Sequence, residues 1–169
     1  MKNVVLTGFM GTGKTSIGKI LAKKLNCPVI DLDRQIEEKE KRKINEIFEK
    51  DGEAYFRRLE KEAVREAAQN EGVVITTGGG AVLDPENVRA LREKGLIVAL
   101  FAKPETIYKR VSHSMARPLL NKADKFSEIK KLLEIRRPFY EKCDLKIETD
   151  GHTATEVVDM ILEGLKDKI

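Results

Sequence analysis

Gly8-Phe9-Met10-Gly11-Thr12-Gly13-Lys14-Thr15 decides the reading of this chain of 169 residues. The stretch fits G-x-x-x-x-G-K-[ST], a loop whose glycines let backbone N–H groups curl around phosphate oxygens. At average residue frequencies, roughly one chain of this length in 200 carries such a match by accident. The flanks argue against accident. Asn3-Val4-Val5-Leu6-Thr7 reads as an apolar strand entering the loop, and Ile17, Ile20, Leu21 and Leu25 share one face of a helix leaving it. That order sets the positive end of a helix against the bound phosphate. Gly11, Thr12, Gly13, Lys14, Thr15 and Ser16 are therefore expected to hold a nucleotide. Lys14 would reach its β- and γ-phosphates, and the Thr15 hydroxyl would ligate Mg²⁺.

Outward from the loop, strands alternate with helices. Pro28 to Leu32 reads as a second short strand, followed by helices over about 34–41 and about 51–70. Phe56, Leu59, Ala63 and Ala67 mark the inner face of the longer helix, and Gly72 its stop. Val73-Val74-Ile75-Thr76-Thr77 is β-branched throughout, as suits a strand buried on both faces. Asp84 and Pro85 read as the N-cap and first turn of a helix. Leu96 to Phe101 is a fourth strand, with a helix from about Pro104 to Val111. Residues 112–124 lack periodicity and are expected to form a mobile lid. The next helix starts near Phe126, and Pro138 should kink or end it. Leu145 to Thr149 is the fifth strand, and Thr153-x-x-Glu156 is a capping box opening a last helix whose core face is Val157, Ile161, Leu162 and Leu165. This alternation implies an α/β fold of three α/β/α layers around a five-stranded parallel sheet, in one domain over 1–169. Ligands of such sheets gather beyond the carboxyl ends of the strands.

Composition bounds the function. The chain is 41% hydrophobic, and no apolar run approaches the ~20 residues that a membrane helix needs. The first apolar stretch ends in the phosphate loop rather than in a signal-peptide pattern. Cys27 and Cys143 have neither metal nor disulfide spacing, so buried or unreactive thiols in a cytoplasmic protein are expected. A net charge of +4 favours anionic ligands, but acids and bases are interleaved, which speaks against nucleic acid. The run Glu37 to Lys43 reads as a solvated helix face with i,i+4 pairs.

The chemistry has several candidates. Asp31 and Asp33 both lie at the end of the second strand. Strand three ends without an acid, so Asp31 is the candidate for Mg²⁺, through water. Asp33 would orient or deprotonate an accepting hydroxyl. The alternative for the pair is a helix cap and a solvated acid. Gly78-Gly79-Gly80 costs backbone entropy and suggests close approach to a ligand. Arg57 and Arg58 point ~100° apart on a helix, so one is expected to bind an anion and the other to face solvent, with Glu60 able to steady Arg57. The same division applies to Arg136 and Arg137. Arg117, in the lid, would act as an arginine finger in cis, though an exposed loop arginine is the commoner case. Asn121-Lys122-Ala123-Asp124 spells a guanine-recognition motif but follows a polar flap, and is read as a chance match. His113 and His152 read as surface residues.

Together, Gly8 to Thr15, Asp31-Leu32-Asp33, Phe56-Arg57-Arg58-Leu59-Glu60, Gly78-Gly79-Gly80, Arg117-Pro118-Leu119-Leu120 and Arg136-x-Pro138-x-Tyr140 closely resemble the shikimate kinase family of P-loop kinases, nearly end to end. The resemblance implies a nucleoside-monophosphate-kinase-like fold with strand order 2-3-1-4-5. It also implies ATP-dependent phosphorylation of the 3-hydroxyl of shikimate, with Mg²⁺, on the way to chorismate and the aromatic amino acids. Carried over by position, 33–60 is a substrate-binding segment. Asp33 binds the ring hydroxyls, Arg57 and Arg136 the shikimate carboxylate, and the Gly78, Gly79 and Gly80 backbone approaches the substrate. Lys14 and Arg117 stabilise the γ-phosphoryl group, Thr15 and Asp31 hold the metal, and Arg110 packs on adenine. A monomer is expected, with shikimate and ATP as partners and neither nucleic acid nor membrane. One departure stands out. Relatives often carry a basic residue near 151–153 for the adenine pocket, and here there is His152. The rival readings are a kinase for another small acceptor, such as gluconate or a nucleoside monophosphate, and a nucleotide-dependent switch protein.

Overall fold

The computed structural model describes residues 1–112 and 125–169. The strand-forming runs appear as β1 (Asn3–Gly8), β2 (Val29–Asp31), β3 (Val74–Thr76), β4 (Gly95–Phe101) and β5 (Leu145–Glu148). They pair in parallel in the order β2-β3-β1-β4-β5, as the family resemblance implies. The helices are α1 (Lys14–Leu25), α2 (Leu32–Glu40), α3 (Ile44–Ala68), α4 (Pro85–Lys94), α5 (Pro104–Val111), α6 (Lys125–Tyr140) and α7 (Ala154–Leu165).

Alternation along the strands builds a core on each face of the sheet. Val4 and Leu6 pack with α1 and α7 through Ile17, Leu21, Val158 and Ile161. Val5, between them, faces the other way and joins Ile75 and Ile97 against Phe56, Val64 and Leu91 of α3 and α4. A third cluster, with Phe9, Val82, Ile107, Ile129 and Tyr140, lies under the carboxyl edge of the sheet and supports the loops there. Truncating a member with no exposure, such as Leu6 or Ile75, should cost about 2–5 kcal/mol.

Caps behave as their chemistry dictates. Asp84 accepts from the Glu86 N–H at 2.9 Å and opens α4, and Thr153 with Glu156 forms the reciprocal box at the start of α7. Four expectations need correction. First, α2 begins at Leu32 rather than near Arg34, because Asp31 itself is the N-cap. Second, α3 starts at Ile44, well before 51, and is broken inside at Gly52, whose φ of 84° and ψ of 174° are not helical. It ends at Ala68, four residues short of Gly72, which instead turns the chain into β3. Third, α6 runs through Pro138 to Tyr140. The missing N–H falls in the last turn, where Glu141 N still donates to Arg137 O at 3.0 Å. Fourth, the run from Glu37 to Lys43 is not one helix face. Lys41 takes a left-handed conformation, so Lys39 reaches Glu66 and Arg42 reaches Asp51 across α3. Among the described residues, no helix is long and apolar enough to cross a membrane.

Candidate active site

The phosphate loop is shaped by its backbone. Gly8, Gly11 and Gly13 have φ of 141°, 76° and 92°, a region L-residues with side chains rarely enter. At Gly8 a Cβ would run into the carbonyl oxygen of Leu100. No side chain caps α1 and its first turn holds no acid, so its N–H groups and dipole are left for an anion. Lys14 turns back along the loop, donating to the carbonyls of Gly8 at 2.7 Å and Phe9 at 2.9 Å. Thr12 ties the loop to itself through Phe9 O at 2.8 Å. From the exposed end of α5, Arg110 donates to Gly11 O at 2.8 Å, which puts it at the outer rim of the loop.

Next to the loop, the Thr15 hydroxyl donates to Asp31 Oδ2 at 3.2 Å. The other oxygen of Asp31 accepts from Arg34 N at 3.1 Å. Asp31 is therefore both a helix cap and the carboxylate facing Thr15, with one oxygen for each task. Beside it in the sheet register stands Thr76, whose buried hydroxyl has no hydrogen-bond partner among the described residues. Lys14, Thr15, Asp31, Asp33 and Thr76 share the lining of a cavity of about 420 Å³. Two hydroxyls and one carboxylate form a hard oxygen set that fits Mg²⁺, an ion that takes one or two carboxylates and fills its shell with phosphate and water. Among the described residues no cluster of three or more His, Cys, Asp or Glu is placed to hold a metal by itself. The residues fit an ion that arrives with a nucleotide.

Following β3, the glycine triplet is buried between that strand and a 3₁₀ turn over Ala81–Leu83. None of its members has the positive φ that would require glycine. Close approach is the reason for Gly78 and Gly80, whereas a Cβ at Gly79 would make only ordinary contacts. A Cβ at Gly78 would lie 2.8 Å from Asp33 Oδ1 and 3.3 Å from Glu60 Oε2. At Gly80 it would lie 2.5 Å from both Nη atoms of Arg57, and at Gly79 it would lie 3.5 Å from Arg136 Nη1. Gly78 and Gly80 thus admit Asp33 and Arg57, which a Cβ would displace, and Arg136 lies in ordinary contact range of Gly79.

The paired arginines separate clearly. Arg57 turns inward, bound to the buried Glu60 at 2.8 Å and to Glu53 at 3.4 Å. Arg58 is exposed and lies over the Tyr55 ring. Arg136 is only 6% exposed and stacks 5.7 Å from the Phe9 ring centroid, with no carboxylate partner among the described residues. Arg137 pairs with Glu141 at the surface. Asp33, Arg57 and Arg136 thus each lie against a different glycine of the triplet. Arg117, the lid over 112–124 apart from Ser112, His113 and the Asn121–Asp124 motif lie outside the described residues. His152 is exposed, 3.8 Å from Glu156. Burial pushes both the Cys27 and the Cys143 thiols up, away from the reactive thiolate.

A loop shaped for phosphate, a hard-oxygen corner and two arginines against a glycine triplet make up the candidate site. The sequence pattern of shikimate kinases matches residues 10–166. This chain belongs to the shikimate kinase family. A shikimate kinase of Caldicellulosiruptor saccharolyticus is 52% identical over 150 residues, 89% of this chain and 87% of its own. The structure of the shikimate kinase from Acinetobacter baumannii in complex with shikimate superposes with a TM-score of 0.95 at 33% identity, over 100% of this chain and 96% of that one. The shikimate kinase from Aquifex aeolicus gives a TM-score of 0.85 at 39% identity, over 97% of this chain and 96% of its own.

Three residues of this family member carry site geometry that sequence reasoning left without a role. Phe9 is the face on which Arg136 rests, and its position inside the phosphate motif could have signalled a loop that packs as well as binds. Thr76 completes the oxygen corner, with only its place at a strand end as a clue. Tyr140 donates to Gly79 O at 2.5 Å, and nothing local in its sequence announces that contact.

Proposed function

We propose that this chain transfers the γ-phosphoryl group of ATP to the 3-hydroxyl of shikimate, giving shikimate 3-phosphate and ADP on the route to chorismate. The observation that carries this reading is Arg136, a buried guanidinium on the phosphate loop's own Phe9 with no carboxylate partner among the described residues. A buried cation without a counter-charge is unfavourable by itself, which suits a receptor for a substrate anion. The guanidinium fork matches a planar carboxylate. Its seat on the loop brings that substrate beside the γ-phosphate. Alternative acceptors and a switch function are not favoured.

The residues then divide the work. Arg136 and Arg57 grip the carboxylate, with Glu60 holding Arg57 in place. The Gly78–Gly80 backbone lets the ring approach. Asp33 accepts a hydrogen bond from the reacting hydroxyl, aims it at phosphorus and takes its proton late, because a loose transition state needs no strong base. The acceptor oxygen forms its bond to the γ-phosphorus as the bond to the β–γ bridging oxygen breaks, with the electron pair leaving on ADP. Lys14 exchanges the Gly8 and Phe9 carbonyls for phosphoryl oxygens. Thr15 and Asp31 would hold a Mg²⁺ ion arriving with ATP, which would neutralise β- and γ-phosphate charge. Gly11, Thr12, Gly13 and Ser16 offer backbone N–H groups to the phosphates, Arg110 lies against the adenine, and Arg117 adds charge at the γ-phosphate. Every contact comes from one chain, so a monomer suffices, and a cytoplasmic setting supplies both substrates.

The test is ADP release with Mg-ATP and, in turn, shikimate, gluconate, nucleoside monophosphates or no acceptor. Strong stimulation by shikimate alone is expected. Stimulation by another acceptor would keep the phosphate chemistry and overturn the roles of Asp33, Arg57 and Arg136.

A further inference from the structure

The three carbonyls of the glycine triplet have different partners. Those of Gly78 and Gly80 accept from Ala81 N at 3.3 Å and Leu83 N at 3.1 Å, within the turn that follows. The carbonyl of Gly79 goes elsewhere, to the Tyr140 hydroxyl at 2.5 Å, 61 residues away in sequence. Tyr140 is 2% exposed. Its ring meets Phe101 edge-on with centroids 6.4 Å apart and belongs to the cluster that includes Phe9, Ile107 and Ile129. A hydroxyl held this firmly fixes the group it binds.

A peptide unit is planar and trans, so its carbonyl and the following N–H point in opposite directions. Fixing Gly79 O therefore fixes the Gly80 N–H, which points away from Tyr140. The Arg57 guanidinium lies against the same glycine. On the other flank, Arg136 sits one helical turn before Tyr140 and shares its face. The site where a Gly79 Cβ would stand is 3.5 Å from Arg136 Nη1 and 3.5 Å from Met10 N of the phosphate loop. One hydroxyl thus sets the peptide that separates the two carboxylate-binding arginines and joins them to the phosphate loop.

We propose that Tyr140 is a positioning residue for the acceptor half of the site, aiming the Gly79–Gly80 peptide at the shikimate carboxylate and fixing its distance from Arg136. This rests on the acceptor reading given above. Tyr140 touches neither substrate. It acts by limiting the orientations of a glycine peptide that has no side chain to restrain it.

The experiment is Tyr140→Phe, which keeps the ring and its contact with Phe101 and deletes the hydroxyl alone. Shikimate affinity by calorimetry and full kinetics for both substrates are compared with wild type. The Kd and KM for shikimate should each rise about tenfold, as for the loss of one buried hydrogen bond, while kcat and the KM for ATP stay within twofold. In an Arg136→Lys background the same substitution should add less than tenfold, because the arginine it positions is already gone. Unchanged shikimate constants, or equal weakening of both substrates alongside a lower Tm, would overturn the proposal and leave Tyr140 as packing. Should Tyr140→Phe fail to fold, Phe101→Leu loosens the ring from its other side, and a shikimate-selective rise of two- to threefold is the result to look for. Failure of the acceptor reading would show separately, as wild-type protein that neither binds shikimate nor releases ADP in its presence.

Discussion

The two halves of the site are built on different principles. The half proposed for phosphate is a run of neighbouring residues, Gly8 to Thr15, and it presents mainly main-chain N–H groups and a helix end. The half proposed for the acceptor draws on α2, α3, the triplet after β3, and α6, and it presents side chains. In the first, the glycines hold a backbone shape that other residues cannot take. In the second, Gly78 and Gly80 hold open space for Asp33 and Arg57. The lesson is that stability and recognition are tied together in the phosphate half and are separable in the acceptor half.

The largest expected effect breaks the phosphate half at its one side-chain charge. Lys14→Met should lower kcat by about 10³-fold, the scale of a lost charge-stabilising donor, while calorimetry still finds most of the shikimate affinity. Retained turnover would mean that the loop binds nucleotide without driving transfer. Next comes the carboxylate receptor. Arg136→Ala should raise the KM for shikimate by about 10²-fold, as for two charge-assisted hydrogen bonds, with the KM for ATP nearly unchanged. Arg57→Ala should cost less, about tenfold, because Glu60 already neutralises part of that charge. The reverse ranking would show that the arginines share the carboxylate differently.

A pair of matched glycine substitutions sharpens the contrast. Gly8→Ala forces a Cβ into positive φ and against a main-chain carbonyl. It should destabilise by about 2–3 kcal/mol and lower Tm by roughly 4–12 °C. Gly80→Ala meets only the movable end of Arg57. Its Tm should hold, while the KM for shikimate rises about tenfold as the guanidinium is displaced. Equal Tm losses in the two variants would remove the distinction between the halves.

The smallest effect lies just beyond the triplet. Burial raises the Asp84 pKa, but the Glu86 N–H and the Lys61 ammonium outweigh it and hold the carboxyl below its usual 3.8. A depressed folded pKa contributes stability above the unfolded value and loses it as pH falls through the folded one. Asp84→Asn keeps a capping oxygen, so it should match wild type near pH 7 to within about 1 kcal/mol and flatten the fall in Tm below pH 4.

Much of this protein was legible from local patterns. The strand-and-helix alternation, the phosphate loop, the Asp84 cap and the Thr153–Glu156 box all depend on contacts a few residues apart, so periodicity and spacing determine them. Asp31, Asp33 and the triplet were legible as candidates because strand ends of a parallel sheet face one edge. Which arginine of each pair turns inward came only from the family resemblance, since the phase of a helix against the sheet is set by packing. Phe56 and Glu60 fix that phase for Arg57, and Phe9 with Tyr140 fixes it for Arg136. The break at Gly52 and the continuation of α6 through Pro138 escaped because both turn on where helix ends fall: Gly52 takes a positive φ inside a longer helix, and Pro138 lies in a last turn. Sequence by itself determined the phosphate-loop motif, the helix that follows it and the edge of the sheet on which the candidate site lies. Only the tertiary structure decided how three glycines, two arginines and one buried tyrosine hydroxyl meet across the chain, because their contacts join elements that no local pattern relates.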